Sequence, residues 1–287
     1  MGATHEAGAR FRSDGDRYVP TELARGPWSP GALHGGPVAA LLAGAVESVP
    51  ADEPVHVTRL TVELLRPVGM VPLTLSSTVV RPGRKVQVVE ASLSDGGRDV
   101  AWVRALRIRL QHGERATALT EARESEAHVS GNGDAVDPTT GRRRFAPPGP
   151  DEGYATPSPI GPYRAFHNAG AELRYVSGSF GTPGPATVWV RLTVPVVGGR
   201  EPSPLQRVAA AADFGNGVSA VLDFARYSFI NPDLTVTLTR PAVGQWVCLD
   251  AVTRTGIPGV AVASSTLFDL EGPIGQSVQS LLVEPRL

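Results

Sequence analysis

The segment LTVELLRP occupies residues 60–67, and LTVTLTRP occupies residues 234–241. Six of the eight positions agree at an offset of 174 residues, a match too long to attribute to chance. The same offset, without a gap, still relates Asp95 of SDGG to Asp269 of FDLEG. Self-similarity at a fixed spacing marks a duplicated structural unit, so the octet predicts two copies of one arrangement within the chain.

Upstream of the first copy, HGGPVAALLAGAVES (His34–Ser48) is apolar on every face between Pro37 and Glu47, as a buried helix is, and Pro37 suits its first turn. Four runs rich in valine and leucine follow: HVTRLTVELL, VPLTLSSTVV, KVQVVEASLSD and DVAWVRALRIRL. They alternate roughly and are separated by Pro/Gly turns, which predicts strands. The second half repeats the order. SPLQRVAAAADF offers Ser203 as an N-cap, Pro204 at the first helical position and Gln206 as capping-box partner, predicting a helix over Leu205–Phe214. DLTVTLTR, QWVCLDAVTR, GVAVASSTLFD and IGQSVQSLLVE come after it. An extended segment precedes each helix, RYVPTELARGPW and ATVWVRLTVPV, and each adds a strand. The predicted fold class is α+β: two tandem repeats, 1–111 and 163–287, each with a long central helix followed by a strongly curved antiparallel sheet.

Between them, residues 112–162 are dominated by polar residues, proline and glycine with no lasting hydrophobic period, which reads as a linker with a short charged helix at TALTEARESE. Arg142, Arg143 and Arg144 lie in this segment and are given no site role. With 287 residues, 41% of them hydrophobic, the chain can fill two cores of ordinary domain size. A net charge of -1 and a pI near 6.6 supply no field that would gather nucleic acid or an anionic membrane surface. The single cysteine, Cys248 in QWVCLDAV, excludes an internal disulfide, and its apolar flanks point to a buried thiol in a reducing compartment. No signal-like or membrane-spanning run is present, so the expected location is the cytoplasm.

A helix wrapped by a curved antiparallel sheet, encoded twice, is the plan of the double hotdog fold. RGPWSPGALHGGPVAALLAGAVE resembles the first central helix of the type II acyl-CoA thioesterase family, ATVWVRLTV the strand opening its second half, and AAADFGNG its second helix. The resemblance spans nearly the whole chain outside the linker. It implies an acyl-CoA substrate, no cofactor or metal, an optional homo-oligomer, and direct attack on the thioester by a held water. In that family an aspartate, a small polar side chain and a glutamine hold the water. Matched by position, these fall on Asp213, Asn231 and Gln279. Asn231 departs from the family's hydroxyl, although an amide can also hold a water.

Taken by themselves, these residues leave alternatives open. Asp213 is the only acid in an apolar helix and stands near its C-terminal end, where the dipole disfavours an anion. A carboxylate withdrawn from water is the stronger proton acceptor that water activation needs; it could equally bracket the amides of the FGNG turn. Gln279 sits among apolar strand residues, with Gln276 as a competitor on the opposite face. His34, Gly35 and Gly36 open the first helix, whose free amides could bind a thioester oxygen, or the glycines could simply let that helix approach the sheet closely. GNGVSA from Gly215 matches a loose dinucleotide-binding pattern but follows a helix where a strand is required, and neither a G-x-S-x-G elbow nor an H-E-x-x-H motif is present. Two further readings stand beside hydrolysis: a hydratase or dehydratase of thioester-bound acyl chains using His34, and an acyl-CoA-binding protein without turnover.

Overall fold

Both copies of the octet become strands, and the two strands pair with each other. In the computed structural model, which describes residues 8–111, 147–157 and 163–286, the first lies in β3 (Val55–Leu64) and the second in β10 (Asp233–Leu238). They run antiparallel with Leu60 opposite Val236, Thr61 opposite Thr235 and Val62 opposite Leu234. Thr235 therefore faces its own counterpart, and the two hydroxyl oxygens are 3.4 Å apart. A pseudo-twofold axis passes between them.

The other strands are arranged about that axis. The first half contributes β1 (Phe11–Asp14), β2 (Arg17–Pro20), β4 (Leu73–Arg81), β5 (Val86–Asp95) and β6 (Arg98–Arg109). The second half contributes β7 (Ala171–Ser179), β8 (Thr182–Leu192), β9 (Tyr227–Ile230), β11 (Trp246–Thr255), β12 (Val260–Asp269) and β13 (Gly272–Pro285). The thirteen strands among the described residues form one sheet in the order β1-β2-β4-β5-β6-β3-β10-β13-β12-β11-β8-β7, with β9 beside β13. Read outward from the centre, the two halves give the same sequence of elements. Even the irregularities repeat: the ladder shifts between Leu93 and Ser94 on β5 and between Leu267 and Phe268 on β12, which are equivalent at the 174 offset. β1 and β7, from FRSD and AELRYVSGS, are strands the sequence reading had not anticipated.

Two helices fill the space the sheet encloses. α1 (Gly35–Ser48) is buried almost all round because it packs on the sheet and on α2 (Pro204–Ala212) together. The pair is antiparallel: Gly36 at the start of α1 meets Ala210, whereas Glu47 at its end accepts a hydrogen bond from Ser203. Ser203 caps α2 as the sequence suggests, accepting from Gln206 N while Gln206 Oε1 accepts from Ser203 N, each at 3.1 Å.

The expectation of a long central helix in each half requires correction. α1 runs fourteen residues, but α2 runs only nine. Asp213 leaves the helix with its side chain bonded to groups outside it, and glycines at 215 and 217 lower helix propensity beyond. The chain restarts only as the four-residue α3 (Gly215–Val218), where Ser219 Oγ bonds back to Gly215 O.

Of the expected linker, residues 112–146 and 158–162 lie outside the described residues, and with them TALTEARESE and Arg142–Arg144. Residues 147–157 run along β7: Tyr154 bridges Tyr175, and Trp189 Nε1 donates to Pro148 O at 2.7 Å. Cys248 is fully buried between Val247 and Leu249, and burial pushes its thiol pKa upward. Among the described residues no helix is long and apolar enough to cross a membrane.

Candidate active site

Asp213 is the C-cap of α2, with φ −68° and ψ −14°, and its side chain is 3% exposed. The carbonyl end of a helix repels an anion, yet this carboxylate lies where α2 ends and α1 begins. A Cβ built on Gly35 would come within 2.8 Å of both Asp213 oxygens. The positive end of the α1 dipole thus offsets the unfavourable end of α2. Glycine at 35 is what allows the approach. Glycine at 36 lets the helices close, since a Cβ there would stand 2.7 Å from Ala210 O.

Donors from three elements converge on this carboxylate. Asn231, between β9 and β10, donates from Nδ2 to Oδ1 at 2.8 Å. Gln279 of β13 reaches both Oδ1 and the Asp213 backbone carbonyl with Nε2, at 3.3 Å each. His34 Nδ1 lies 2.8 Å from Oδ2. Strand alternation decides between the two glutamines: Gln279 is buried and Gln276 exposed.

His34 is also the N-cap of α1, with Nδ1 3.1 Å from Gly36 N. One ring nitrogen carries either a proton or a lone pair, so it cannot serve both neighbours. A 2.8 Å approach to a carboxylate requires a proton between the atoms, and Nδ1–H therefore donates to Asp213. The imidazole is held by Phe166 and Phe214, with ring centroids 4.9 and 5.3 Å away, and by main-chain bonds from His34 N to Ala24 O and from Leu33 N to Val68 O. The residues expected to bind carbonyl oxygen thus stand against the expected base.

Asn216 was not foreseen. Its backbone N–H donates to Gln279 Oε1 at 3.0 Å, and its Nδ2 lies 3.4 Å from Asn231 Oδ1. With one lone pair of each oxygen taken by Asn216, the two amides turn their NH₂ groups toward Asp213 and keep a second acceptor position on each oxygen. Gly215 makes room, because a Cβ there would be 2.8 Å from Gln279 Oε1. A signal was present: Asn216 follows Asp213 by three residues, at helical spacing, in an otherwise apolar segment.

Two family profiles match the chain: the acyl-CoA thioesterase N-terminal domain over residues 24–109 and the acyl-CoA thioesterase C-terminal domain over residues 142–283. No curated protein matches the sequence. Among solved structures, a candidate thioesterase II from Thermobifida fusca is similar over 99% of this chain and 98% of its own, at 18% identity and a TM-score of 0.68. A protein of unknown function with a hot dog fold from Alicyclobacillus acidocaldarius covers 100% of both chains, at 16% identity and a TM-score of 0.66. An acyl-CoA thioesterase II from Mycobacterium marinum covers 95% of this chain and 94% of its own, at 16% identity and a TM-score of 0.59. At these identities the likeness establishes the hotdog α+β fold.

Proposed function

Because the chain belongs to the acyl-CoA thioesterase family, we propose that it hydrolyses acyl-CoA by direct attack of a water that Asp213 activates and that Asn231 and Gln279 orient. It is a thioester hydrolase acting on an acyl-CoA. The observation that carries the mechanism is the buried Asp213 carboxylate, with two amide NH₂ groups at Oδ1 and an imidazole at Oδ2. A carboxylate offers about four acceptor positions, and these donors use three. The fourth takes a proton from water as its oxygen adds to the thioester carbon. The resulting oxyanion is met by the amides of Gly35 and Gly36, the carbon–sulfur bond then breaks, and the coenzyme A thiolate leaves and is protonated. No acyl-enzyme forms. The amide of Asn231 replaces the family's hydroxyl as the orienting group.

Residues 1–111 and 163–287 are read as the two repeats and 112–162 as the segment joining them. Support comes from the mirrored strand order.

The contact between His34 and Asp213 favours one alternative, a His–Asp pair whose free Nε2 moves a proton at the acyl β-carbon, as a hydratase requires. A panel of acyl-CoA thioesters mixed with a thiol-reactive dye separates the two readings: hydrolysis liberates thiol, whereas hydration changes the acyl chain and liberates none.

Gln279→Ala should lower turnover by about tenfold, the worth of one orienting hydrogen bond at this length. Asn231→Thr should retain turnover within about the same factor, since a hydroxyl can orient the same water. Loss of all activity in the threonine variant would contradict the shared role. Gly35→Ala should also lower kcat by about tenfold or more, because the new methyl group displaces the carboxylate and small misplacements are costly in rate. Circular dichroism should show that fold intact, as the atoms displaced belong to a side chain.

A further inference from the structure

The pseudo-twofold gives the Asp213 site a mate at the other end of the helix pair. Gln279 pairs with Ala263 and Ala105 pairs with Val89, equivalent ladder positions at the 174 offset. Ile230 pairs with Leu282 and His56 with Ile108, again equivalent, so Asn231 corresponds to Val57. The mate therefore has Ala105 and Val57 where the hydrolytic site has Gln279 and Asn231. It cannot orient a water in the same way.

The space has nevertheless not closed. A cavity of about 310 Å³ lies there, with Val57, Leu205 and Leu238 as apolar wall and Glu47, His56 and Arg107 as polar wall. This is within the ordinary range for a small-ligand site. Two buried nitrogens of the polar wall, His56 Nε2 and Arg107 Nε, have no hydrogen-bond partner among the described residues. Arg10, Arg25, Arg59 and Arg207 also have an unpartnered Nε among the described residues, so it is the meeting of two such nitrogens on one cavity wall that sets this place apart. The remaining guanidinium nitrogens of Arg107 are committed to Val49 O, Pro50 O and Gln87 Oε1. Burial lowers the pKa of His56, against the opposing effect of the Leu238 backbone. A ligand must accordingly offer an acceptor to Arg107 and either a donor or an acceptor to His56. An ionised fatty acid would bring its charge against Glu47. A secondary amide offers both and carries no charge.

We propose that this cavity is a second, non-hydrolytic binding site for a neutral amide-bearing chain of the pantetheine type. The choice of pantetheine rests on the acyl-CoA reading of the Asp213 site; the cavity and its orphan nitrogens do not. Calorimetric titration of the wild-type chain with D-pantetheine should saturate at two equivalents, and His56→Phe, which keeps the ring but removes both nitrogens, should saturate at one. A diazirine-bearing pantetheine should label the wild-type chain on the Val55–Val57 peptide as well as near Asp213, a measurement independent of whether the variant folds. One equivalent with no label at Val55–Val57 would overturn the proposal. So would a second equivalent that survives His56→Phe, or octanoate filling the cavity in place of pantetheine. Two equivalents without any thioester cleavage would instead fault the hydrolytic reading alone.

Discussion

Asp213→Asn should lower kcat for acyl-CoA hydrolysis on the order of a hundredfold or more, within the usual range for losing a general base, while acyl-CoA binding survives. The substitution preserves the surroundings unusually well. The oxygen of the introduced amide can still accept from Asn231 and Gln279, and its NH₂ group can donate to His34 Nδ1, which then carries its lone pair instead of a proton. What disappears is the acceptor that takes the proton from water. Thiol release at saturating acyl-CoA is the measurement, and full activity in this variant would refute the mechanism.

Arg240→Ala should destabilise the fold by about 3 kcal/mol, the scale for stripping one partner from a buried ion pair. The guanidinium grips Asp269 with NH1 to Oδ2 at 2.5 Å and NH2 to Oδ1 at 2.6 Å, and the Asp269 side chain is 0% exposed. Burial alone would raise the Asp269 pKa. The bonds from Arg240, with those from Val243 N and Glu271 N, outweigh it and hold the carboxyl below its ordinary value. A group with a depressed folded-state pKa stabilises above its unfolded value, and that contribution is lost as pH falls through the folded one. Urea unfolding of wild type should therefore weaken below about pH 4 as this carboxylate protonates, and Arg240→Ala should lose much of that acid sensitivity. Arg66 is the counterpart of Arg240 in the first octet, yet it is exposed and makes no ion pair among the described residues. Arg66→Ala should change stability by no more than about 0.5 kcal/mol.

That contrast shows how far the sequence could be read. The duplicated octet and its gap-free offset carry the strand positions, because alternating side chains on a half-buried sheet leave a period that survives in the letters. Ser203, Pro204 and Gln206 mark a helix start because capping is local chemistry. The alternation along β13 was enough to say that only one of Gln276 and Gln279 could face inward. Other features depend on contacts between distant segments. Nothing in LTVELLRP says that its partner strand is its own repeat. The end of α2 at Ala212 follows from bonds that Asp213 makes to residues 18 and 66 positions later. The approach of His34 to Asp213 needs two helices packed side by side and antiparallel, and residues 34 and 213 are brought together by no local pattern. Asn216 was passed over because an asparagine flanked by glycines reads first as a turn.

The strand pair at Thr61 and Thr235 also changes how this molecule can be altered by mutation. Two identical chains joined along such a self-matching edge would carry every substitution twice, once at each end of the shared sheet. Here the joined edges belong to one chain, and the covalent link keeps them together at an effective concentration that separate chains rarely reach. Positions 57 and 231 are a single place in the architecture written in two codons. Inheritance can therefore change one end while leaving the other as it was, and symmetry of form no longer enforces symmetry of chemistry.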